Sequence, residues 1–174
     1  MKSIKPLHAQ CFFSVSRRGE FHQFLTYDYY DPRNYYAKLV YADEKKYLRE
    51  MLRLMYGMQE LLDTEVVKIN GVRVRPRVLS VDMEHRGLRE VPYITWLIWF
   101  KGRIKRGVNV FENVSEEEVA EYDYEVVWLF PKGAKVLEVH VPTDYEIVGD
   151  RALFIWARKG DKVGGLEKIV FEVR

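Results

Sequence analysis

The 174-residue chain carries 28 basic and 26 acidic residues, which gives a formal net charge of +2. A charge so close to zero gives no reason to expect nucleic-acid binding. Hydrophobic residues make up 48% of the chain and aromatic residues 14%, which suffices to bury a core and excludes intrinsic disorder. The one cysteine, Cys11, excludes an internal disulfide, and the abundance of Lys, Arg and Glu is typical of hyperthermophilic proteins.

No run in the sequence predicts a membrane segment. Residues 1–10 lack the apolar stretch of a signal peptide. The apolar run 94–100 is far too short to cross a bilayer. We therefore expect membrane contact only through anchors that are absent from this sequence.

The N-terminal segment predicts a β-hairpin followed by a tyrosine-rich tract. Residues 7–16 and 20–30 have strand character, and the polar tetrad 16–19 between them ends in glycine, as short hairpin loops do. Asp31-Pro32 ends this pattern, because proline restricts the residue before it. The tract 27–41 predicts a contact surface, since tyrosines stack on bases or sugars and anchor protein interfaces. Its candidate binding residues are Tyr29, Tyr30, Tyr35 and Tyr36.

An amphipathic helix is predicted over about residues 43–62. Asp43 has the chemistry of a helix cap, and apolar residues recur at helical spacing while charged residues occupy the opposite side. We expect Leu52 and Met55 to face a sheet.

A second hairpin is predicted around Asn70-Gly71, with strands over 65–69 and 72–81. Pro76 cannot donate a ladder hydrogen bond, which predicts an edge strand. Three arginines share one face of the second strand, and a basic run follows later in the chain. The candidate basic patch consists of Arg73, Arg75, Arg77, Lys101 and Arg103, extended by Lys105 and Arg106.

The remainder predicts a run of strands. The segments 93–100, 126–130, 153–157 and 169–173 are short, apolar and rich in aromatic and β-branched residues, and they contain all four tryptophans. Between them, residues 112–125 hold seven acidic residues and no basic one. Ser115 and Glu118 fit a capping box and predict a short helix there.

Few residues have the spacing of a catalytic or metal site. A zinc site needs four ligands at defined spacing, which Cys11 and scattered histidines do not supply, so Cys11 is expected to be a buried structural residue. Asp82, Glu84 and His85 form a weak metal site only if a turn reunites His85 with the two carboxylates. No phosphate loop, nucleophile elbow or His-Glu-x-x-His pair is present. We expect no metal and no cofactor.

The later strands carry an ordered set of features: Ile94-Thr95-Trp96, Phe100, Val110-Phe111, Trp128-Leu129-Phe130-Pro131 with Gly133, and residues 152–156. With the Arg-Arg-Gly hairpin, tyrosine-containing strand, helix and strand pair before them, they resemble the β-rich extracytoplasmic domain of uncharacterised archaeal membrane-anchored proteins. Members of that group often carry a C-terminal transmembrane helix, and some join this domain to a winged-helix module. The resemblance implies a location outside the cytoplasm and no catalytic residues. The sequon Asn113-Val114-Ser115, expected in a surface loop, points weakly the same way.

We predict an α+β domain of residues 1–174, with a largely antiparallel β-sandwich-like body and one helix packed on a sheet. Residues 1–63 form the hairpin and helix, and residues 64–174 form the β-rich remainder. The predicted function is a non-enzymatic binding or sensory module for a protein or small ligand. Its predicted location is extracytoplasmic.

Two other functions remain open. A cytosolic nucleic-acid-associated protein would use the basic patch, and the near-neutral composition makes nucleic acid the less favoured partner. An enzyme of unrecognised type would use His22, Asp28 and Asp31. The first predicts salt-dependent binding, and the second predicts a convergent pocket with shifted carboxylates.

Overall fold

The computed structural model describes residues 4–174 as two mostly antiparallel sheets with two helices, and strands account for 57% of the chain. This confirms the prediction of a largely β, α+β fold. Residues 1–3, which belong to the segment where no signal peptide was expected, lie outside the described residues.

Seven strands form the larger sheet: β1 Lys5–Val15, β2 Glu20–Tyr30, β5 Arg77–His85, β6 Pro92–Lys101, β8 Asp123–Leu129, β10 Asp144–Val148 and β11 Ala152–Ala157. Their order is β10-β11-β8-β1-β2-β6-β5. β1 and β8 pair in parallel, and the other neighbours are antiparallel. The predicted N-terminal hairpin therefore forms the middle of this sheet.

Five strands form the smaller sheet: β3 Val66–Ile69, β4 Val72–Val74, β7 Gly107–Val119, β9 Ala134–His140 and β12 Lys162–Val173. Their order is β4-β3-β7-β12-β9, and all neighbours are antiparallel. The β3–β4 turn is the predicted Asn70-Gly71 hairpin, in which both residues have positive φ angles of 51° and 76°. Such angles favour asparagine and glycine, so the sequence signal and the geometry agree.

Aromatic side chains from both sheets form the main core. Trp128 of β8 contacts Phe111 of β7 with ring centroids 4.7 Å apart. Phe130, just after β8, contacts Phe171 of β12 at 4.6 Å. Burial alternates along β6, which is the period expected of a strand with one face on a core. The predicted aromatic runs are therefore core strands.

Two helices, α1 Tyr35–Ala42 and α2 Glu44–Thr64, follow the first hairpin, although one helix was predicted. The second is the predicted helix, and the Asp43 side chain accepts a hydrogen bond of 3.0 Å from the Lys46 backbone N–H, as a cap does. The first begins where buried Asp31 accepts a hydrogen bond of 2.9 Å from the Tyr36 backbone N–H. Asp31 is therefore a structural residue of this turn.

Helix α2 packs on the larger sheet through a stripe that differs from the predicted one. Met51, Met58 and Leu62 are buried, and Met55 is half-buried beside them. Leu52 is 51% exposed, so its predicted place on the sheet is wrong. Positions 51, 55, 58 and 62 keep one face of a 3.6-residue helix, and Leu52 lies about 100° away from that face.

Two further predictions about strands need correction. The segment 72–81 is split at Pro76, so that β4 and β5 belong to different sheets, each at an edge. The Gln59 side chain bridges the break, donating to the Pro76 carbonyl at 3.1 Å and accepting from the Val78 N–H at 2.9 Å. The short helix predicted at Ser115 is instead the end of β7, where pairing with β12 outweighs the local capping pattern.

Candidate ligand cleft between the two sheets

The predicted tyrosine surface is divided by the fold. Tyr36 is buried and Tyr29 is half-buried in the core beneath the helices. Burial is the main cause that raises the pKa of the Tyr29 hydroxyl to about 12. Tyr30 and Tyr35 are exposed. The structure therefore brings only part of the tract to the surface.

The predicted arginine ladder is also divided. Arg73 lies on β4 of the smaller sheet, opposite Lys68, whereas Arg77 lies on β5 of the larger sheet, opposite Trp99. Arg75 is exposed in the connection between them. Lys101 and Arg103, by contrast, adjoin Arg17 and Arg18 of the first hairpin turn. The basic patch thus forms around the loop after β6, without the arginine ladder.

The residues proposed for an enzyme do not converge. His22 and Asp28 lie six residues apart along β2, which corresponds to roughly 20 Å. Asp28 is instead held by Arg86, 3.0 Å away, and Asp31 caps α1. Within residues 4–174, no group of three or more His, Cys, Asp or Glu side chains is placed to hold a metal ion.

A cleft of about 680 Å³ lies where inward-facing residues of both sheets change from apolar to polar. We call it the inter-sheet cleft. Helix α2 contributes Met58 and Leu62 to one wall, and apolar side chains of the core form its floor. Its polar lining includes Cys11, Gln23, Tyr27, Tyr122 and Tyr124 on one side and Glu65, Asn113, Ser115 and Glu167 on the other, and Gln10, Glu118, Glu121 and Glu125 also line it.

The smaller sheet places two carboxyl groups in this cleft, one on each side of β7. Asn113 of β7 pairs with Val67 of β3 on one side and with Glu167 of β12 on the other. Glu65 precedes Val67 by two residues and therefore shares its face. Burial, and then the charge of Glu65, raises the pKa of Glu167 to about 7. Burial also raises the pKa of Glu65, and the side chain of Asn113 partly offsets this.

Neither carboxyl group has a cationic partner. Among the described residues, no Lys, Arg or His nitrogen lies within 4.0 Å of Glu65 or Glu167. The Oδ1 atom of Asn113, which lies on the strand between them, is buried and has no hydrogen-bond partner in residues 4–174. Buried polar atoms are normally satisfied, so this part of the cleft has unused capacity for a ligand that donates hydrogen bonds.

The larger sheet contributes hydroxyl groups and a thiol to the opposite wall. Tyr27 lies edge-on to Tyr122, with ring centroids 5.9 Å apart. Burial is the main cause that raises the pKa of Tyr124 to about 12, so this hydroxyl remains a donor at neutral pH. Cys11 is buried as predicted, and its Sγ accepts a hydrogen bond of 3.3 Å from Gln23. Burial raises the pKa of this thiol to about 12, which disfavours the reactive thiolate form at neutral pH.

A bulge shapes one edge of the cleft. The β7–β12 register shifts between Val163 and Gly165, and Gly164 and Gly165 have φ angles of 82° and 74°. A Cβ atom on Gly164 would collide with the Glu116 carbonyl oxygen. The double glycine therefore permits a close backbone approach that other residues would not, and bulges of this kind redirect neighbouring side chains.

Sequence reasoning missed this cleft because its residues are spread from position 9 to position 169. One signal was present: Glu167 precedes Ile169 and Phe171 at the strand period, which points its side chain inward. Asn113 also lies in a central strand with its side chain in the cleft, so the sequon is not in the expected surface loop.

No family model and no curated protein matches the chain. Among solved structures, it is similar to a proposed protease from Parabacteroides distasonis ATCC 8503, with a TM-score of 0.35 and 6% identity. It is also similar to the M1 zinc metallopeptidase from Deinococcus radiodurans, with a TM-score of 0.39 and 11% identity. The alignments cover 97% and 98% of this chain but only 40% and 42% of those chains. Likeness of this size supports no functional argument.

In residues 4–174, neither helix combines the length and the apolar character needed to cross a membrane.

Proposed function

We propose that this chain is a non-enzymatic binding or sensory module that holds a small ligand in the inter-sheet cleft. The two sheets in this proposal face one another as a sandwich that is filled by aromatic residues along most of its length and open at the cleft. The observation that carries the proposal is the pair Glu65 and Glu167, which are half-buried in a cleft of about 680 Å³ and have no cationic partner among the residues that the structure describes.

The charge of the lining favours a cationic ligand. Two neighbouring carboxylates repel one another, and burial adds to the free energy needed to ionise them. A protonated amine would relieve both effects and would donate hydrogen bonds to the unpartnered Asn113 oxygen. The faces of Tyr27, Tyr122 and Tyr124 are suited to the same group through cation–π attraction. An amine with an apolar body therefore fits the cleft best.

The apolar wall sets the size of that body. Leu25, Val67, Val126 and Ile155 line the cleft with Met58 of α2. Burying a group of about the size of a phenyl ring against such a wall contributes roughly 2–3 kcal/mol. This contribution is comparable with that of one buried charge pair, so both parts of the ligand are needed for useful affinity.

The proposed location is extracytoplasmic, as in the proteins that the later strands resemble. The sequon no longer supports it, because Asn113 lies inside the cleft. Fractionation of cells that express the whole native gene, with detection of the protein by antibody, tests the location; recovery in the cytosolic fraction would contradict it.

The binding proposal is tested with two ligands of similar shape and opposite charge, 2-phenylethylamine and 3-phenylpropionate. We expect calorimetric titration at pH 8 to detect the amine and not the acid. Glu167→Gln should weaken amine binding by about tenfold, the equivalent of roughly 1.4 kcal/mol for the lost charge.

Glu112→Gln is the matched control, because Glu112 lies in the same sheet on the opposite face, between Lys68 and Lys168. It should leave amine binding unchanged. Equal binding of amine and acid, no binding of either, or equal effects of the two substitutions would contradict the proposal.

A further inference from the structure

Basic residues gather at one end of the molecule, on two adjacent loops. The turn between β1 and β2 carries Arg17 and Arg18, Lys101 ends β6, and the loop that follows it carries Arg103, Lys105 and Arg106. The two loops are joined by a hydrogen bond of 2.9 Å from the Gly102 N–H to the Gly19 carbonyl. We call these six residues the basic end.

Acidic residues do not neutralise the basic end. Among the described residues, none of the six cations has a carboxylate oxygen within 4.0 Å. Glu20 lies opposite Lys101 in the strand register, and Glu172 pairs with the neighbouring Arg174. The Arg17 guanidinium donates to the Lys132 carbonyl at 2.7 Å, a contact that orients it and keeps its charge.

Two asparagines, Asn109, which is buried, and Asn70, which is half-buried, hold the basic loop in a fixed conformation. Asn109 is fully buried; its Oδ1 accepts from the Lys105 N–H at 2.8 Å, and its Nδ2 donates to the Lys105 carbonyl at 2.8 Å. Asn70 donates to the Arg103 carbonyl at 2.8 Å and to Asn109 Oδ1 at 3.0 Å. Within the loop these hydrogen bonds involve only backbone groups, so the side chains of Arg103 and Lys105 remain available to a ligand.

The basic end encloses shallow depressions rather than a smooth surface. One, of about 860 Å³, is lined by Arg17, Arg18, Asn70, Lys101, Arg103 and Lys105. The adjoining one, of about 410 Å³, shares Arg17 and Lys105 and adds Arg106 and Arg174. Residues 101–106 include no large exposed apolar side chain. They therefore offer no aromatic ring for stacking on bases and no apolar group for insertion into a lipid core.

We propose that the basic end is a binding site for a group that carries several closely spaced phosphates. Arginine matches phosphate with paired donors, lysine adds point charge, and a loop that is fixed in advance loses little entropy on binding. This site is separate from the inter-sheet cleft and does not depend on the function proposed for the cleft.

The phosphates belong either to a free oligophosphate or to a lipid headgroup, and two measurements separate these sources. Inorganic tripolyphosphate is titrated into the protein at about 0.15 M salt. In parallel, vesicles of phosphatidylcholine are sedimented with the protein, with and without phosphatidylinositol bisphosphate. We expect tripolyphosphate to bind. Vesicle binding that tripolyphosphate displaces would assign the lipid source, and no vesicle binding would assign the free anion.

The variant Arg103→Glu with Lys105→Glu should weaken tripolyphosphate binding by at least about tenfold, since each charge-assisted contact is worth about that factor. The matched control, Lys45→Glu with Arg49→Glu, makes the same charge change on exposed positions of α2 and should retain binding. The neutral pair Arg103→Gln with Lys105→Gln repeats the test if the first variant does not fold.

Three results would overturn the proposal. The first is no tripolyphosphate binding. The second is an equal loss in the α2 control, which would show a general effect of net charge. The third is duplex DNA that binds through Arg103 and Lys105 more tightly than tripolyphosphate, which would make the basic end a nucleic-acid surface.

Discussion

Glu167 is held in surroundings that favour its neutral form. Burial is the larger cause and the neighbouring Glu65 the smaller one, and together they raise the pKa of Glu167 from 4.5 to about 7. A group with a raised pKa binds its proton more tightly in the folded state than in the unfolded chain. Its favourable contribution to stability is therefore complete below about pH 4.5 and is lost as the pH rises to about 7.

Replacing Glu167 with glutamine should remove this dependence. We expect Glu167→Gln to become more stable than the unaltered protein as the pH rises from 4.5 to 7, by about 1–3 kcal/mol at pH 8, because glutamine has no proton to lose. Urea unfolding at a series of pH values measures the difference. A difference that stays constant with pH would show that Glu167 ionises freely in the folded protein. Glu112→Gln, on the opposite face of the same sheet, provides the control.

The orientation of these carboxyl groups was predictable from the sequence, but their placement in the same cleft was not. Glu65 lies two residues before buried Val67, and Glu167 lies two residues before buried Ile169, so both share the inner face of a strand. That they line the same cleft depends on the pairing of β7 with both β3 and β12. Such pairings join segments that are distant in sequence, and the local pattern of one sequence does not specify them.

Among the helices, strands and turns, the features that were predicted best are those with a strong local sequence signal. The Asn70-Gly71 turn, the Ser16 to Gly19 turn and the Asp43 cap all appear in the structure as predicted. Each depends on backbone requirements that only a few residue types meet. The helix stripe was less dependable, because apolar residues at 48, 52 and 61 lie outside the buried face.

Helix α2 offers neighbouring positions for a test of its packing. Met51 is 7% exposed and Leu52 is 51% exposed. Met51→Ala should lower the free energy of unfolding by about 2–5 kcal/mol, since it leaves a cavity between helix and sheet. Leu52→Ala should change it by less than about 1 kcal/mol. Urea unfolding of both variants at one pH provides the comparison, and equal losses would mean that the helix does not pack as described.

Two elements escaped prediction because distant contacts outweighed local preference. Helix α1 is rich in tyrosine, which favours strands, yet the Asp31 carboxylate satisfies the free Tyr36 N–H at its start. The acidic segment after Ser115 has the pattern of a helix start, yet it extends β7 along β12. In both cases a partner that lies outside the local pattern decides the conformation.

For the whole molecule, the net charge of +2 conceals a separation of charge. Strand β7 begins at Gly107 beside the basic end and finishes at Val119 beside the cleft, a distance of roughly 40 Å for a strand of this length. Three of its residues point inward. Asn109 holds the basic loop by hydrogen bonds, Phe111 lies in the core, and Asn113 lies in the cleft. One strand thus supports a cationic end and an acidic cleft.

The overall composition gave no indication of this separation. The basic and acidic segments were both visible in the sequence, and a solvated loop was a sufficient explanation for each. The fold joins Lys101 to Arg106 with the first hairpin turn, and it turns Glu65 and Glu167 inward. Both arrangements depend on strand order, which a single sequence does not reveal.

We propose that the inter-sheet cleft holds an amine against the half-buried carboxyl groups of Glu65 and Glu167. An NMR titration of the Glu167 side-chain carboxyl, with and without saturating 2-phenylethylamine, tests this proposal. We predict a pKa near 7 for Glu167 in the unliganded protein and a lower pKa with the amine, because a bound cation favours the ionised form. A Glu167 pKa near 4.5 without ligand, or one that the amine leaves unchanged, would show that the cleft does not bind an amine in this way.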